Sequence, residues 1–344
     1  MKYRSLGATG LQVSELGFGC GSVGGLVVRG QPRSIVAAVG RAVELGVNYF
    51  DTAPAYGNGL SETNLGRSLN ELKADVLVGT KVMLTPADLE DGIGAAVTAS
   101  LEASLRRLRR ERVDLLQLHN RIRSSHIMYR GEVSVTVSDV HAAVEAFHRL
   151  QEQGKIRFWG LNGIGDSPAI LAAVGSAEAH SIQVCYNLLN PSAGMQAPPG
   201  FPFQDFQRLI DRAAERHMGV LAMRVLAAGA LTGSAERHEL ASTGFIPIAS
   251  GKDHADDVRR ARLFRFLVDE GHTRSLVEAA LRFALSKPQV STALIGFSSL
   301  EQLEEAVECA ERGPLPAEVL DRIAAVVSLQ AQQEAEQTDT RTKD

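Results

Sequence analysis

The chain has 344 residues, 44% of them hydrophobic and 22% charged, with a formal net charge of −4. That is the composition of a soluble globular protein, long enough for one large α/β barrel or for two ordinary domains. The charge gives no reason to expect nucleic acid as a partner, and no run of about 18 apolar residues offers a membrane span. The opening "MKYRSLGATG" has no apolar signal region. Cys20, Cys185 and Cys309 are widely spaced and form no CxxC, so neither a disulfide nor a metal site is expected, and a cytoplasmic location fits.

In chain order, "LQVSELGFGCG" is a strand candidate and "PRSIVAAVGRAVELG" a helix with Gly46 placed to end it. "VNYFDTA" reads as a strand, "SETNLGRSLNEL" as a helix and "ADVLVGTKV" as a strand. "DLEDGIGAAVTASLEASLRRLRR" is a strong helix, with Val97, Leu101, Leu105 and Leu108 on one face. "VDLLQLHN" is a strand and "VSDVHAAVEAFHRLQEQG" a helix. "KIRFWGLNG" is a strand, and "DSPAILAAVGSA" a helix opened by Asp166 or Ser167 with Pro168. "SIQVCYNLLN" is a strand, "FQDFQRLIDRAAERH" a helix and "GVLAMRVLA" a strand. A long loop near 233–256 leads into helical sequence to about 287, then "STALIGF" and "SLEQLEEAVECAER" close the series.

These are eight β-then-α units, and alternation of that kind implies parallel strands covered by helices. Eight units in one chain point to a closed (β/α)8 TIM barrel. "PAEVLDRIAAVVSLQAQ" is left over as an extra C-terminal helix, with Val319, Ile323 and Val327 on one face. No composition shift marks a domain boundary, so residues 1–330 are expected to form one domain, with 331–344 as a flexible tail.

In a barrel the C-terminal strand ends meet at one face, where the chemistry sits. The second strand ends at Asp51 with Tyr56 just beyond, the third at Lys81 and the fourth at His119. Taken singly, each has an ordinary reading as a cap, a packing residue, a solvated lysine or a structural histidine. Together, at three successive strand ends, they suggest a site. A phenol is a poor acid at neutral pH, but a neighbouring ammonium favours its phenolate. A carboxylate keeps that ammonium charged, and a histidine can donate to a substrate oxygen. Such a set transfers a proton at a carbonyl or alcohol oxygen. It has no nucleophile paired with a base and no second carboxylate across a cleft, which disfavours acyl transfer and glycoside hydrolysis. No side chain supplies electrons, so a cofactor is implied.

Over about residues 3–310 the sequence resembles the aldo-keto reductase family. The carrying motifs are "YRSLGATGLQVSELGFG", "NYFDTAPAYG", "SETNLGRSL", "VGTKV", "SLRRLRRERVDLLQLH", "GKIRFWGLNG", "QVCYNLL" and "LIGFSSLEQLEEAV", in the family's order. The resemblance implies an NAD(P)-dependent oxidoreductase on a barrel with an N-terminal hairpin. Asp51, Tyr56, Lys81 and His119 match its catalytic four. Tyr56 would be the general acid in reduction and the base in oxidation, with Lys81 held by Asp51 and His119 orienting the carbonyl.

The cofactor motifs depart further from the family. Its usual Gly-x-Ser-Asn after strand five reads "GLNG" here, which places Asn162 at the serine and Gly163 at the asparagine. Gln183 matches the strand-six carboxamide ligand. After strand seven, Met223 or Arg224 stands where an aromatic stacks on the nicotinamide. Leu226, Gly229 and Leu231, in "RVLAAGALTG", match the stretch whose amides hold the pyrophosphate. Arg224 could face that pyrophosphate or an acidic substrate. Beyond the last strand, Gly296, Ser298, Gln302 and Glu305 match the ribose end, where NADP-using members carry a cation. Its replacement by serines, with Glu305 able to accept from a free ribose hydroxyl, leans towards NAD or dual use over strict NADP.

Loops 21–32, 120–136, 190–202 and 233–256 are candidates for the substrate pocket, with Arg29, Arg121 and Arg123 able to meet an acidic substrate or face water. The "GLNG" and "RVLAAGALTG" variants resemble those of the branch that oxidises aldoses at C1, so sugars, small aldehydes or ketones are the expected substrates. Two alternatives stay open. One is a nucleotide-binding redox sensor or regulatory subunit with little turnover. The other is a barrel isomerase or lyase using Lys81 as a Schiff-base amine. Oligomeric state is not legible.

Overall fold

The computed structural model describes the backbone of residues 1–341, with side chains as far as Glu334. Eight parallel strands close into a barrel: β1 (Leu16–Gly19), β2 (Tyr49–Asp51), β3 (Leu77–Val82), β4 (Val113–Leu118), β5 (Ile156–Asn162), β6 (Ser181–Cys185), β7 (Gly219–Met223) and β8 (Val290–Gly296). Each strand pairs with the next in sequence, and β8 pairs with β1. Because βαβ crossovers are right-handed, this order sets the covering helices around the outside.

The strands are short, and their residues are almost all buried, as expected of a parallel sheet covered on both faces. Inside the barrel Leu115, Leu221, Leu294 and Tyr49 pack with Leu6, Leu11 and Val13. The last three belong to an N-terminal hairpin in which Tyr3–Ser5 pairs with Gln12–Ser14. The hairpin therefore plugs the lower end of the barrel, and the open end is the one where the strands finish.

Two expected helices are shorter than their periodicity suggests. The run from Asp88 breaks at Gly92, whose φ of 131° ends helix Pro86–Asp91 before Ile93–Leu108 begins. The stretch 203–217 is helical only over Leu209–Glu215, because Gln207 and Arg208 are left-handed. Asp166 precedes helix Ser167–Ser176 but does not cap it; its carboxylate accepts from Arg123 Nη1 at 3.1 Å. The C-terminal helix packs Val319, Ile323 and Val327 into the core, and its backbone runs Ala317–Arg341, into the stretch expected as a tail. Residues 342–344 of that stretch lie outside the described residues. No helix among the described residues is long and apolar enough to cross a membrane.

Candidate active site

Register brings the four strand-end residues together. Asp51 sits opposite Gly79, and Lys81, two residues on, points to the same inner face. Lys81 Nζ lies 2.5 Å from Asp51 Oδ1 and donates to the Thr52 carbonyl at 2.8 Å. The other Asp51 oxygen accepts from Gln183 Nε2 at 2.7 Å. The ammonium stands 4.9 Å from the centroid of the Tyr56 ring, and that ring meets His119 edge-on, with centroids 5.8 Å apart.

A compact turn delivers Tyr56. Its amide donates to Ala53 O at 3.1 Å, Gly59 N donates to Pro54 O at 2.8 Å and Ser61 N donates to Tyr56 O at 3.2 Å. Beneath the turn, Ser61 Oγ donates to Cys20 O at 2.9 Å. The buried Glu62 accepts from Thr80 Oγ1 at 2.5 Å and from Arg107 Nε at 2.6 Å, which locks the following helix to β3 and its neighbour.

Burial dominates the electrostatics. It works against both charges of the pair: it pushes the Asp51 carboxyl up, with Lys81 pulling the other way, and it opposes the Lys81 ammonium, but there Asp51 and Tyr56 outweigh it and raise the lysine pKa. Burial pushes the Tyr56 hydroxyl above its ordinary value, and Lys81 pulls the other way. The lysine thus moderates the cost of burying the phenol; it does not by itself bring the pKa below normal. His119 is pushed down to about 3, by burial first and by Lys81 second, so its imidazole is neutral at working pH. A neutral imidazole can donate from one nitrogen without competing for the tyrosine's proton.

Asp51, Tyr56 and His119 open onto a cavity of about 630 Å³, while Lys81 acts from underneath it. Asn162, Gln183, Met223, Arg224, Leu226, Gly229, Gly296, Ser298, Gln302 and Glu305 line the same cavity. Leu231 does not: its side chain is fully buried in the hydrophobic core, so it packs the turn from behind. The cavity runs from the tyrosine past the end of β7 and along the loop after β8. Several lining groups lack partners within the protein, among them Asn162 Oδ1, His119 Nδ1 and Arg224 Nη1. A long cleft with unsatisfied polar atoms at intervals suits an elongated polar ligand, and a nicotinamide dinucleotide fits that description. Gly24 lets the backbones close in at this point, since a Cβ there would stand 2.5 Å from Gly296 C.

A family model described as "Aldo/keto reductase family" matches residues 15–328. The chain belongs to the aldo/keto reductase family. It is therefore an oxidoreductase of a family whose members generally use NAD(P). It is 29% identical to L-galactose dehydrogenase of Arabidopsis thaliana, over 89% of this chain and 87% of that protein. It is also 29% identical to a putative voltage-gated potassium channel subunit beta of Schizosaccharomyces pombe, over 95% and 93%. Among solved structures it is similar to aldo-keto reductase AKR11C1 from Bacillus halodurans in its holo form. That likeness has a TM-score of 0.70 and 26% identity, and covers 95% of this chain and 96% of that one.

The aldo/keto reductase motifs that read unusually have visible local causes. Gly163 stands where the family usually has asparagine, and a Cβ there would lie 2.6 Å from the Gln183 carbonyl, to which Gly163 N donates at 2.7 Å. Asn162 donates to the His119 carbonyl at 2.7 Å, and Gln183 is engaged with Asp51. Each therefore keeps its oxygen and one amide hydrogen for a ligand. After β7, Arg224, Ala227 and Ala228 are all left-handed, at φ 58°, 46° and 56°, so the chain doubles back at once. Ser298 Oγ donates to Gly24 O at 2.6 Å and its amide donates to Gln302 Oε1 at 2.8 Å, which fixes the entry to helix Leu300–Glu311.

Of the arginines able to meet an acidic substrate or face water, Arg29 and Arg123 have partners within the protein. Arg29 donates to Ser22 O at 2.6 Å and to Leu240 O at 2.9 Å, strapping the loop after β1 to the loop after β7; Ser242 N adds a bond to Val23 O at 3.0 Å. Arg123 pairs with Asp166, and Arg121 lies over Tyr129 while its charge still acts on Arg224. That strapped loop also places Arg237 and His238, which are not among the residues expected from the sequence, in the cavity wall. Its length alone marked the loop as functional; no periodicity in it pointed to these side chains.

Proposed function

We propose that this chain is an NAD(P)-dependent carbonyl reductase or alcohol dehydrogenase of small molecules, in which Tyr56 moves the proton. The observation that carries this reading is the buried Lys81–Asp51 ion pair set under Tyr56, with a neutral His119 at the ring's edge. A bound nicotinamide supplies hydride to a carbonyl carbon, or accepts it from an alcohol. Tyr56 then gives its proton to the carbonyl oxygen, or takes one from the hydroxyl. Lys81 stabilises the phenolate left behind, and Asp51 fixes the ammonium. His119 donates to the same substrate oxygen and sets its direction.

Asn162 and Gln183 offer oxygens to the carboxamide end, the Leu226–Gly229 turn meets the pyrophosphate, and Ser298, Gln302 and Glu305 meet the adenosine ribose. Met223 supplies an apolar surface where the family has an aromatic. With the exposed Glu305 at that end, NAD is preferred or shared with NADP. The substrate is a sugar, aldehyde or ketone, in line with the relatives named for L-galactose and, from Pseudomonas, for a D-threo-aldose. Three buried, unpaired cysteines suit a cytoplasmic setting. The potassium-channel relative favours a second reading, a nucleotide-binding regulatory subunit with slow turnover.

The test is equilibrium titration with NADH and NADPH, followed by nicotinamide absorbance over a panel of aldoses, aldehydes and ketones. Binding of NADH with turnover of at least one carbonyl is expected. Binding without turnover would favour the regulatory reading, and no binding of either nucleotide would defeat both.

A further inference from the structure

The cavity wall holds two cations that have no carboxylate. Cations elsewhere in the interior are paired: Lys81 with Asp51, Arg260 with Glu334 and the partly buried Arg282 with Glu278. Arg224, next after β7, makes no ion pair among the described residues, and its Nη1 is buried without a hydrogen-bond partner. Arg237 gives Nη1 to the Ala228 carbonyl at 2.6 Å and leaves Nε buried and unpartnered. One ring, Phe245, lies between them, 5.9 Å from Arg224 and 4.5 Å from Arg237. Asp257 stands within electrostatic range of Arg224 but is already accepting from Ser250 Oγ and Gly251 N. The exposed carboxylates on the cavity rim, Glu132, Glu236 and Glu305, pair with neither arginine.

Burial disfavours a charge that no counter-ion offsets, and it lowers the pKa of both partly buried guanidinium groups here. A fold keeps such a group where a ligand completes it. The two arginines serve different parts of the cleft. Arg237 is bound at the Ala228–Gly229 turn, the stretch that the proposed function gives to the pyrophosphate. Arg224 is held by its backbone, whose carbonyl accepts from Asn187 Nδ2 at 2.9 Å, and its charge acts on Tyr56. The left-handed φ of 58° at Arg224 is itself costly for a non-glycine residue, which marks the side chain's position as specified.

We infer that Arg224 is the receptor for an oxyanion carried by the carbonyl substrate, a carboxylate or a phosphate, so that acidic aldehydes, ketones or sugar acids are preferred over their neutral counterparts. This rests on the proposed reading for the position of the reacting carbonyl. The anion sits on the β7 side of Tyr56 and makes charge-assisted hydrogen bonds to the guanidinium.

The test is calorimetric binding of benzoate and of benzamide to the wild-type protein and to Arg224→Gln and Arg224→Lys. Alongside it, kcat/KM is measured for 4-carboxybenzaldehyde and benzaldehyde, and Kd for NADH. Benzoate should bind wild type at least about ten-fold more tightly than benzamide, the preference should vanish in Arg224→Gln and part of it should return in Arg224→Lys. The kcat/KM ratio of the two aldehydes should fall by a similar factor. Equal binding of benzoate and benzamide to wild type overturns the inference, as does a preference that survives Arg224→Gln. A loss of NADH affinity with aldehyde selectivity intact would assign Arg224 to the dinucleotide's pyrophosphate and overturn it too. Should benzoate behave as expected while no carbonyl is turned over, the anion site stands and the proposed carbonyl turnover falls.

Discussion

The Asn162 side-chain amide donates to the main-chain carbonyl of His119 over 2.7 Å, tying the end of β5 to the end of β4. The amide group is thereby oriented, because only nitrogen can face that carbonyl, and the buried Oδ1 is left to accept from a ligand. One side chain thus both steadies the histidine and lines the cleft, at the end that the proposed function gives to the nicotinamide. Asn162→Ala is expected to weaken NADH binding about ten-fold, the worth of one hydrogen bond and a loosened strand end. A Kd unchanged by that substitution would take Asn162 out of the cofactor site.

Tyr56→Phe removes only the hydroxyl. Turnover should fall by about 10³-fold, in the range found for a positioned general acid, while NADH affinity stays within about two-fold. Single-turnover kinetics with saturating NADH separates the two effects. A rate close to wild type would give the proton to another group.

The Lys81–Asp51 pair makes a stability prediction of its own. Asp51→Asn leaves a buried ammonium without its carboxylate and should cost about 3 kcal/mol in denaturant unfolding. Adding Lys81→Met to Asp51→Asn removes the stranded charge and should recover most of that loss, yet leave turnover abolished. Recovery of activity in the double variant would sink the role given to Lys81.

His119 sets a pH dependence with a definite sign. Its folded pKa is near 3, below the ordinary 6.5, so the unfolded chain takes up a proton between those values and the folded chain does not. Stability from this group is complete above about pH 6.5 and is lost as pH falls towards 3, by on the order of 5 kcal/mol. His119→Gln should flatten that acid limb in chemical denaturation. In the wild type, kcat/KM should carry no histidine limb between about pH 5 and 8. A limb there that disappears in His119→Gln would mean the imidazole is not held neutral.

The barrel was legible because strand ends and helix faces leave periodic marks. Asp51, Lys81 and His119 each end an apolar run, and parallel pairing then leaves little freedom in where they point. Motif departures were legible as departures but not as geometry. That Gly163 must stay small follows only from the Gln183 carbonyl beside it, which another strand supplies. The helix over 203–217 was overextended because left-handed Gln207 and Arg208 are a tertiary requirement with no glycine to announce them. Arg29 could be read as meeting a substrate or facing water, but its partners are main-chain carbonyls, one of them at Leu240, far along the chain. Arg237 reached the cavity by that same strap. Such contacts carry no period, so charge and loop length were the only hints.

The turn after β7 leaves free energy unclaimed. Ala227 and Ala228 both hold a left-handed backbone that disfavours any Cβ by about 1 kcal/mol or more. Replacing Ala228 by glycine should therefore raise the midpoint of thermal unfolding, reversing the usual penalty for adding glycine. A lowered midpoint would mean that its methyl group, nearly buried against the cavity wall, contributes more than the backbone loses. The place to look for heat tolerance in this enzyme is thus a single methyl group at the edge of its cleft.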